Sequence, residues 1–456
     1  MEKRNNHDLV NQLAEELRWK EIETLFAEMH VADIAEIINR ADDENLPRLF
    51  LLVEEDKKPE VLAELEDNPQ FHALESLDSV KISRILDEMY PDDAADVLMR
   101  FSAKRSSEIL SLMEDDESGD VRELMQYGEE TAGGIMTTDF VSLPEHLSVD
   151  EALNRIAMLD EDEPFYYAYV VNSTDVLIGR IGLWEMIKMR NKDLRLADLV
   201  DRDIIASKVD MDQEECAHLM SKYDLSSLPV CDDDGRLVGR ITVDDVIDVI
   251  EDEASEDIFR LAGSDDEELE HSSSLRAARL RLPWLLITLC TGFVTSLLLR
   301  KFIALQDVTM LVLFVPIIMA MGGNTGIQSS TLVVRRLAMG TLDMSDLSKI
   351  LRKEIITGAI MGGLCGVAIA VWASIMFARG IESSLFSSFS LAGIVALALF
   401  SAMSFAAVFG AYTPMILSRF KIDPAIASGP FVTASNDILA LLIYYGITVA
   451  FIGVFS

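Results

Sequence analysis

Apolar positions change their spacing twice along the chain, and each change marks a different kind of structure. Over residues 10–127 they recur at helical intervals in short bursts. "DSVKISRILDEM" (78–89) and "SAKRSSEILSLM" (102–113) align on their Ile, Leu and Met positions, and "ADIAEII" (32–38) aligns with "DDAADVL" (92–98). Repeated short amphipathic helices predict a stacked superhelical array. From about 138 to 251 strand-like runs alternate with helices, and a duplication offset by 60 residues lays "YVVNSTDVLIGRIGLWEMI" (169–187) over "PVCDDDGRLVGRITVDDVI" (229–247). Each unit reads as an apolar strand, an acidic turn, a second strand through Gly-Arg-Ile and a helix opening.

Beyond residue 281 the polar positions nearly vanish. Five segments, at 282–299, 308–334, 355–378, within 383–418, and 424–456, carry almost no charge. Each reaches the roughly 20 residues that cross about 30 Å of hydrocarbon as a helix, so membrane lipid surrounds this part. Arg276, Arg279, Arg281, Arg335, Arg336, Lys349, Arg352, Lys353, Arg419 and Lys421 fall on one side of these spans, and only Arg300, Lys301 and Arg379 on the other. Positive residues mark the cytoplasmic side. That predicts a multi-pass protein of the inner (cytoplasmic) membrane with its N-terminal domains in the cytoplasm and its C-terminus outside.

Charge divides the chain at the same place. Of 39 basic and 77 acidic side chains, 26 and 70 lie before Arg276. Such an acidic body repels nucleic acid and anionic lipid and attracts cations. Cys216, Cys231, Cys290 and Cys365 have no ligand spacing, and the N-terminus has no signal-peptide pattern, consistent with a reducing cytoplasm and no structural zinc. No nucleophile–base constellation or phosphate-cradling glycine loop is present, so the chain does not read as an enzyme.

The membrane half holds the candidate chemistry. Asp437 is the only acid within the five uncharged segments, and a carboxylate there costs about 2.5–3.5 kcal/mol on insertion scales. Thr433 lies one turn before it and Gly429 a turn earlier. In the second segment Pro316 is expected mid-membrane, followed by "GGNTGIQSS" (322–330), where Asn324 and Gln328 share a face. A broken, polar helix is tolerated where it lines a water-filled path. Ahead of the first span, Asp248, Glu253, Glu256 and Asp257 lie on a helix whose like charges repel until a cation arrives. Asp92 and Asp93 are expected on a solvated face.

Tandem units of the form seen at 169–187 and 229–247 resemble a pair of cystathionine-β-synthase (CBS) domains. In that family a hydroxyl and a carboxylate after the last strand hold a ribose. The second unit has Thr242 and Asp245 there, whereas the first has Gly182 and Glu185. An adenine nucleotide such as ATP is thus a candidate regulatory ligand of the second unit, and helix capping by Thr242 is the alternative.

The order of parts resembles the MgtE family of magnesium channels and transporters. It runs from an acidic helical N-domain (1–130), through "TAGGIMT" (131–137) and a CBS pair (131–250), to a connecting helix (251–281) and a five-helix transmembrane domain (282–456). The most specific pieces are "GGNTGIQSS" and "DPAIASGPFVTASNDILALLIYY" (423–445). The resemblance implies a homodimer with its pore between the two membrane domains. It also implies that Asp437 binds hydrated Mg²⁺, with Gly429, Thr433, Asn324 and Gln328 lining the path. The connecting helix would be a plug, shut when cytoplasmic Mg²⁺ bridges Asp248, Glu253, Glu256 and Asp257 to the CBS pair. Two alternatives remain open: a carrier of Co²⁺, Mn²⁺ or Ca²⁺, and a membrane-anchored nucleotide sensor.

Overall fold

The computed structural model describes all residues except 1, 160–164, 190, 266–273, 304–305, 340–341, 343–346, 379–387, 421 and 456. Arg379 and Lys421, counted above for orientation, lie outside the described residues. The chain divides into two units, residues 1–250 and 251–456.

In the first unit, the helical bursts become a run of short helices from Glu2–Glu15 to Asp115–Leu124. The aligned echoes map onto paired elements, Ser79–Leu86 with Ala103–Leu110 and Val31–Asn39 with Pro91–Met99. Their apolar faces form one core that continues through Ala132 and Met136 into Leu228, Ile241 and Val246.

The duplication is visible strand by strand. β1 (Ser142–Pro144) runs parallel to β2 (Tyr167–Val171), which pairs antiparallel with β3 (Leu177–Gly182). β4 (Ser207–Lys208), β5 (Ser227–Cys231) and β6 (Leu237–Thr242) repeat this order. Tyr167 pairs with Gly182 and Ser227 with Thr242, and both hairpins shift register at the equivalent step. The turns match as well. Asn172 Oδ1 accepts the amides of Thr174 (2.8 Å) and Val176 (3.1 Å), as Asp232 Oδ1 accepts those of Asp234 (2.9 Å) and Arg236 (2.8 Å). Asx side chains favour this closure, and each turn ends on a left-handed residue, Asp175 (φ 61°) or Gly235 (φ 78°). The "TAGGIMT" stretch is stitched to the second CBS unit by Gly133 N–H to Val209 O (2.9 Å) and Thr137 N–H to Arg240 O (2.8 Å).

The second unit begins within the connecting helix (Val243–Ala262), which ends at Gly263 with φ 73°. Among the described residues, five helices are long and apolar enough to cross a membrane. They are the first to fifth membrane helices: Ser274–Ile303, Val315–Ala338, Leu347–Ala378, Ser388–Arg419 and Pro430–Phe455. The fourth packs against both the second and the third, and the fifth packs against the second. Phe302 of the first meets Tyr444 of the fifth at 5.1 Å between ring centroids, and the buried Tyr444 hydroxyl donates to Leu311 O (2.8 Å).

Two sequence expectations change here. The second membrane helix is continuous through "GGNTGIQSS", and Pro316 stands in its first turn after the 3₁₀ segment Gln306–Phe314. Proline lacks only an N–H that the first turn leaves unpaired anyway, so it starts this helix instead of breaking it. Also, the third membrane helix begins at Leu347 and takes in Glu354, which is buried. Asp437 is therefore not the lone acid of the spans.

Candidate cation path

The fifth membrane helix begins at Pro430, just after a short helix Ala425–Ser428 and the non-helical Gly429. Gly429 stands as the residue before the helix, where its carbonyl takes the first intrahelical bond. It accepts both the backbone N–H of Thr433 (3.2 Å) and the Thr433 hydroxyl (3.1 Å). Gly429 and Thr433 thus form one local unit below Asp437.

Opposite them lies the glycine strip of the second membrane helix. A Cβ at Gly323 would stand 3.3 Å from Asp437 Oδ1 and from Thr433 Cγ2, and one at Gly322 would stand 3.1 Å from Ala440 Cβ. At Gly326 it would stand only 1.8 Å from Asn436 Nδ2. From the third side, a Cβ at Gly410 would lie 2.2 Å from the Gly326 carbonyl oxygen. Glycine suits these positions because the fourth helix brings its backbone onto Gly326 while side chains of the fifth fill the space a Cβ would take. Asp437 itself is partly exposed, and Asn324 and Gln328 are exposed one turn apart. The structure thus brings Asp437 and Thr433, with Gly429 bonded to Thr433, against the glycines of the second membrane helix. It leaves Asn324 and Gln328 on the open surface of the single chain.

This close packing sets an expectation. Gly326→Ala overpacks a filled junction, a change that costs about 1–3 kcal/mol, and should lower the melting temperature of the detergent-solubilised protein. Gly363→Ala, whose Cβ would meet nothing within 4 Å, should melt like wild type. Equal melting of both variants would contradict the described junction.

The connecting helix supplies the second group of predicted residues. Its last turn meets the start of the fifth membrane helix: a Cβ on Gly429 would lie 2.3 Å from the Leu261 carbonyl oxygen, and one on Gly263 2.7 Å from Pro430 Cγ. Arg260 pairs with Glu256, one turn earlier, and with Asp423 in the segment before the fifth membrane helix. Burial, with Asp423 and Glu253 nearby, pushes the Asp257 carboxyl up to about 6. Asp248 is exposed, and the helical spacing turns it away from Asp257. Glu253, Glu256 and Asp257 therefore gather near Asp423. Among the described residues, no three His, Cys, Asp or Glu side chains converge as a chelating group.

Within the first unit, Thr242 donates its hydroxyl to Asp245 Oδ2, which also accepts the Thr242 backbone N–H (3.3 Å). Asp245, the third residue of the helix, thereby makes the carboxylate half of a capping box with Thr242, so the helix-capping role stands beside the ribose-binding one. Asp245 bears on an acidic helix that the sequence reading misplaced. Asp92 and Asp93 of Pro91–Met99 are not on a solvated face: Asp92 is buried with Oδ1 unpartnered. Burial, then Asp93 and Asp245, push Asp92 well above the usual carboxylate range, and burial, then Asp245, push Asp93 up to about 7. A contact to residues some 150 positions away decides this burial, and no local pattern reports it.

Known proteins give an independent comparison. The family described as "MgtE: Divalent cation transporter" matches residues 315–447, its intracellular N domain matches 29–130, and CBS domains match 132–191 and 196–252. A curated magnesium transporter MgtE of Bacillus subtilis is 32% identical over 95% of this chain and 94% of its own length. The Thermus thermophilus protein of the same name is 33% identical over 92% of both. A crystal structure of the cytosolic domain of the Mg²⁺ channel MgtE in complex with ATP shares 32% identity over 52% of this chain and 98% of its own, with a TM-score of 0.48.

Proposed function

Because this chain belongs to the MgtE family of magnesium transporters, we propose that it is a Mg²⁺-selective channel gated from its acidic side by Mg²⁺ itself. The observation that carries the reading is the placement of Asp437. Its carboxylate stands over the Thr433–Gly429 unit, against backbone stripped of side chains. The Asp437 carboxylate, the Thr433 hydroxyl and the Gly429 carbonyl are oxygen groups, which fits a hard hydrated cation rather than a soft metal. The half-open position of Asp437 in one chain suits a homodimer in which two such carboxylates face each other across a two-fold axis, with Asn324 and Gln328 lining the remaining path.

Gating rests on the connecting helix. Its C-terminal turn sits against Gly429 and Pro430, at the foot of the residues that would hold the ion. Cations gathered by Asp248, Glu253, Glu256 and Asp257 would hold it there, and loss of those cations would release it through like-charge repulsion. Asp92, Asp93 and Asp245 add a further repulsive cluster for Mg²⁺ to neutralise. Thr242 and Asp245, already side by side, are the pair that would hold the ribose of ATP or a related nucleotide.

Limited proteolysis tests the cation response. Millimolar Mg²⁺ should slow cleavage around residues 251–275, and matched monovalent ionic strength should not; cleavage that tracks ionic strength alone would favour a plain solvated helix. The acid helix adds a pH dependence. Carboxyls whose folded pKa is raised favour the packed state while protonated, and this advantage fades as pH climbs through about 7 for Asp93. In Mg²⁺-free buffer, the 1–130 region should therefore resist protease better at the acidic end of the range between the ordinary Asp value and that point. Saturating Mg²⁺ should flatten the profile.

A further inference from the structure

Glu354 is the buried acid that the cation path above does not use. Only 7% of it is exposed, and one carboxylate oxygen, Oε2, accepts the hydroxyl of buried Ser329 at 2.7 Å. Ser329 belongs to "GGNTGIQSS" on the second membrane helix and Glu354 to the third. Their surroundings leave little room for water. Four residues toward the connecting loop on each helix, Val333 and Ile350 are buried in one apolar cluster with Ala411 and Met415 of the fourth helix. Four residues the other way on the third helix, a Cβ at Gly358 would lie 2.9 Å from Ala407 Cβ and 3.0 Å from Ser404 Cα. Three residues before Ser329 is Gly326, pressed by Gly410.

An acid held between an apolar seal and close backbone contacts is expensive, and plain packing would be served better by Leu or Ala. What Glu354 adds is direction. The second and third helices each pack along the fourth, and the Ser329–Glu354 bond is a polar tie that joins the two directly. Ser329 lies seven residues, two turns, from Gly322, so both fall on one stripe of the helix. A bond that fixes Ser329 also fixes where Gly322, Gly323 and Gly326 face.

We propose that Glu354 is a positioning residue for cation passage: by accepting the Ser329 hydroxyl it sets the rotation of the second membrane helix and so holds its glycine strip against Asp437. The proposal rests on the Mg²⁺-channel reading and separates from it in experiment. Purified variants in liposomes are compared by Mg²⁺ flux, with detergent melting and size-exclusion profiles as the measure of folding.

Glu354→Ala and Ser329→Ala should each lower flux about tenfold, the upper scale of one ordinary hydrogen bond. The double variant should lose no more than either single change, because both remove the same contact. Glu354→Gln keeps a carbonyl oxygen for Ser329 and should recover flux to near wild type at every pH. Additive losses, or normal flux in Ser329→Ala, would overturn the proposal. So would a Glu354→Gln variant as inactive as Glu354→Ala, since that would make the charge or a transferable proton the requirement. If Glu354→Ala does not fold, Ser329→Ala and Glu354→Gln still decide. Normal flux in an Asp437→Ala control would instead sink the channel reading itself.

Discussion

Asp437→Ala is expected to abolish Mg²⁺ uptake into liposomes while the protein still folds. Among the described residues Asp437 makes no ion pair, and its carboxylate lies against the side-chain-free face of Gly323. Losing it should therefore leave packing intact and remove only the charge that receives the ion. In a two-fold pore each variant dimer loses two carboxylates. Contacts to charged groups contribute about 1.5–3 kcal/mol each, so roughly 3–6 kcal/mol is lost and flux should fall at least a hundredfold. Asp437→Glu keeps the charge but lengthens the arm toward Gly323, and should retain a small fraction of the flux. Wild-type flux through Asp437→Ala would remove the residue from the path.

The second large effect concerns the connecting helix. A variant with Asp248, Glu253, Glu256 and Asp257 all replaced by Ala should conduct at Mg²⁺ levels that shut the wild type. A ligand shifts a two-state equilibrium only by its differential affinity for the two states, and moving it from 99:1 to 1:99 takes about 5.5 kcal/mol. On the proposed gating, removing these four acids withdraws that bias, so the inhibition midpoint should rise tenfold or more. Ion preference should stay unchanged, because Asp437 is untouched. The Arg260 pair sharpens the design. Glu256→Ala leaves Arg260 to Asp423 alone, which could hold the helix end in place without any cation. A companion variant carrying Arg260→Ala as well separates the two contributions. Patch-clamp recording with stepped Mg²⁺ on the acidic side reads both. An unchanged inhibition curve in the quadruple variant would move the sensor to the N-terminal helices, where Asp92 and Asp93 are the first candidates.

The large divisions of this protein are legible in its sequence because each has its own apolar period. Internal repetition also marks the CBS pair, strand, acidic turn and strand in each unit, and the turns close alike on Asn172 and Asp232. The unread details are those settled by distant partners. Glu354 escaped notice because an apolar window is cut at the nearest charge, so a helix with an acid inside its end reads as a shorter helix. Pro316 read as a break because its meaning depends on where the helix starts, and the 3₁₀ turn before it has no strong signature. The glycines of "GGNTGIQSS" were legible as unusual but not as the face that meets Asp437, since that requires knowing the crossing of two helices more than a hundred residues apart. Asp92 read as solvated because most acidic helix faces are.

Mg²⁺ flux through purified wild-type protein in liposomes, with Mg²⁺ clamped on the side bearing the acidic domains and Co²⁺, Mn²⁺ and Ca²⁺ offered in parallel, tests the central claim most directly. The account predicts Mg²⁺ entering in preference to the other three while clamped Mg²⁺ is low, and a fall in flux as it reaches the millimolar range. Flux that ignores the clamped Mg²⁺, or that favours another of these ions over Mg²⁺, would contradict it.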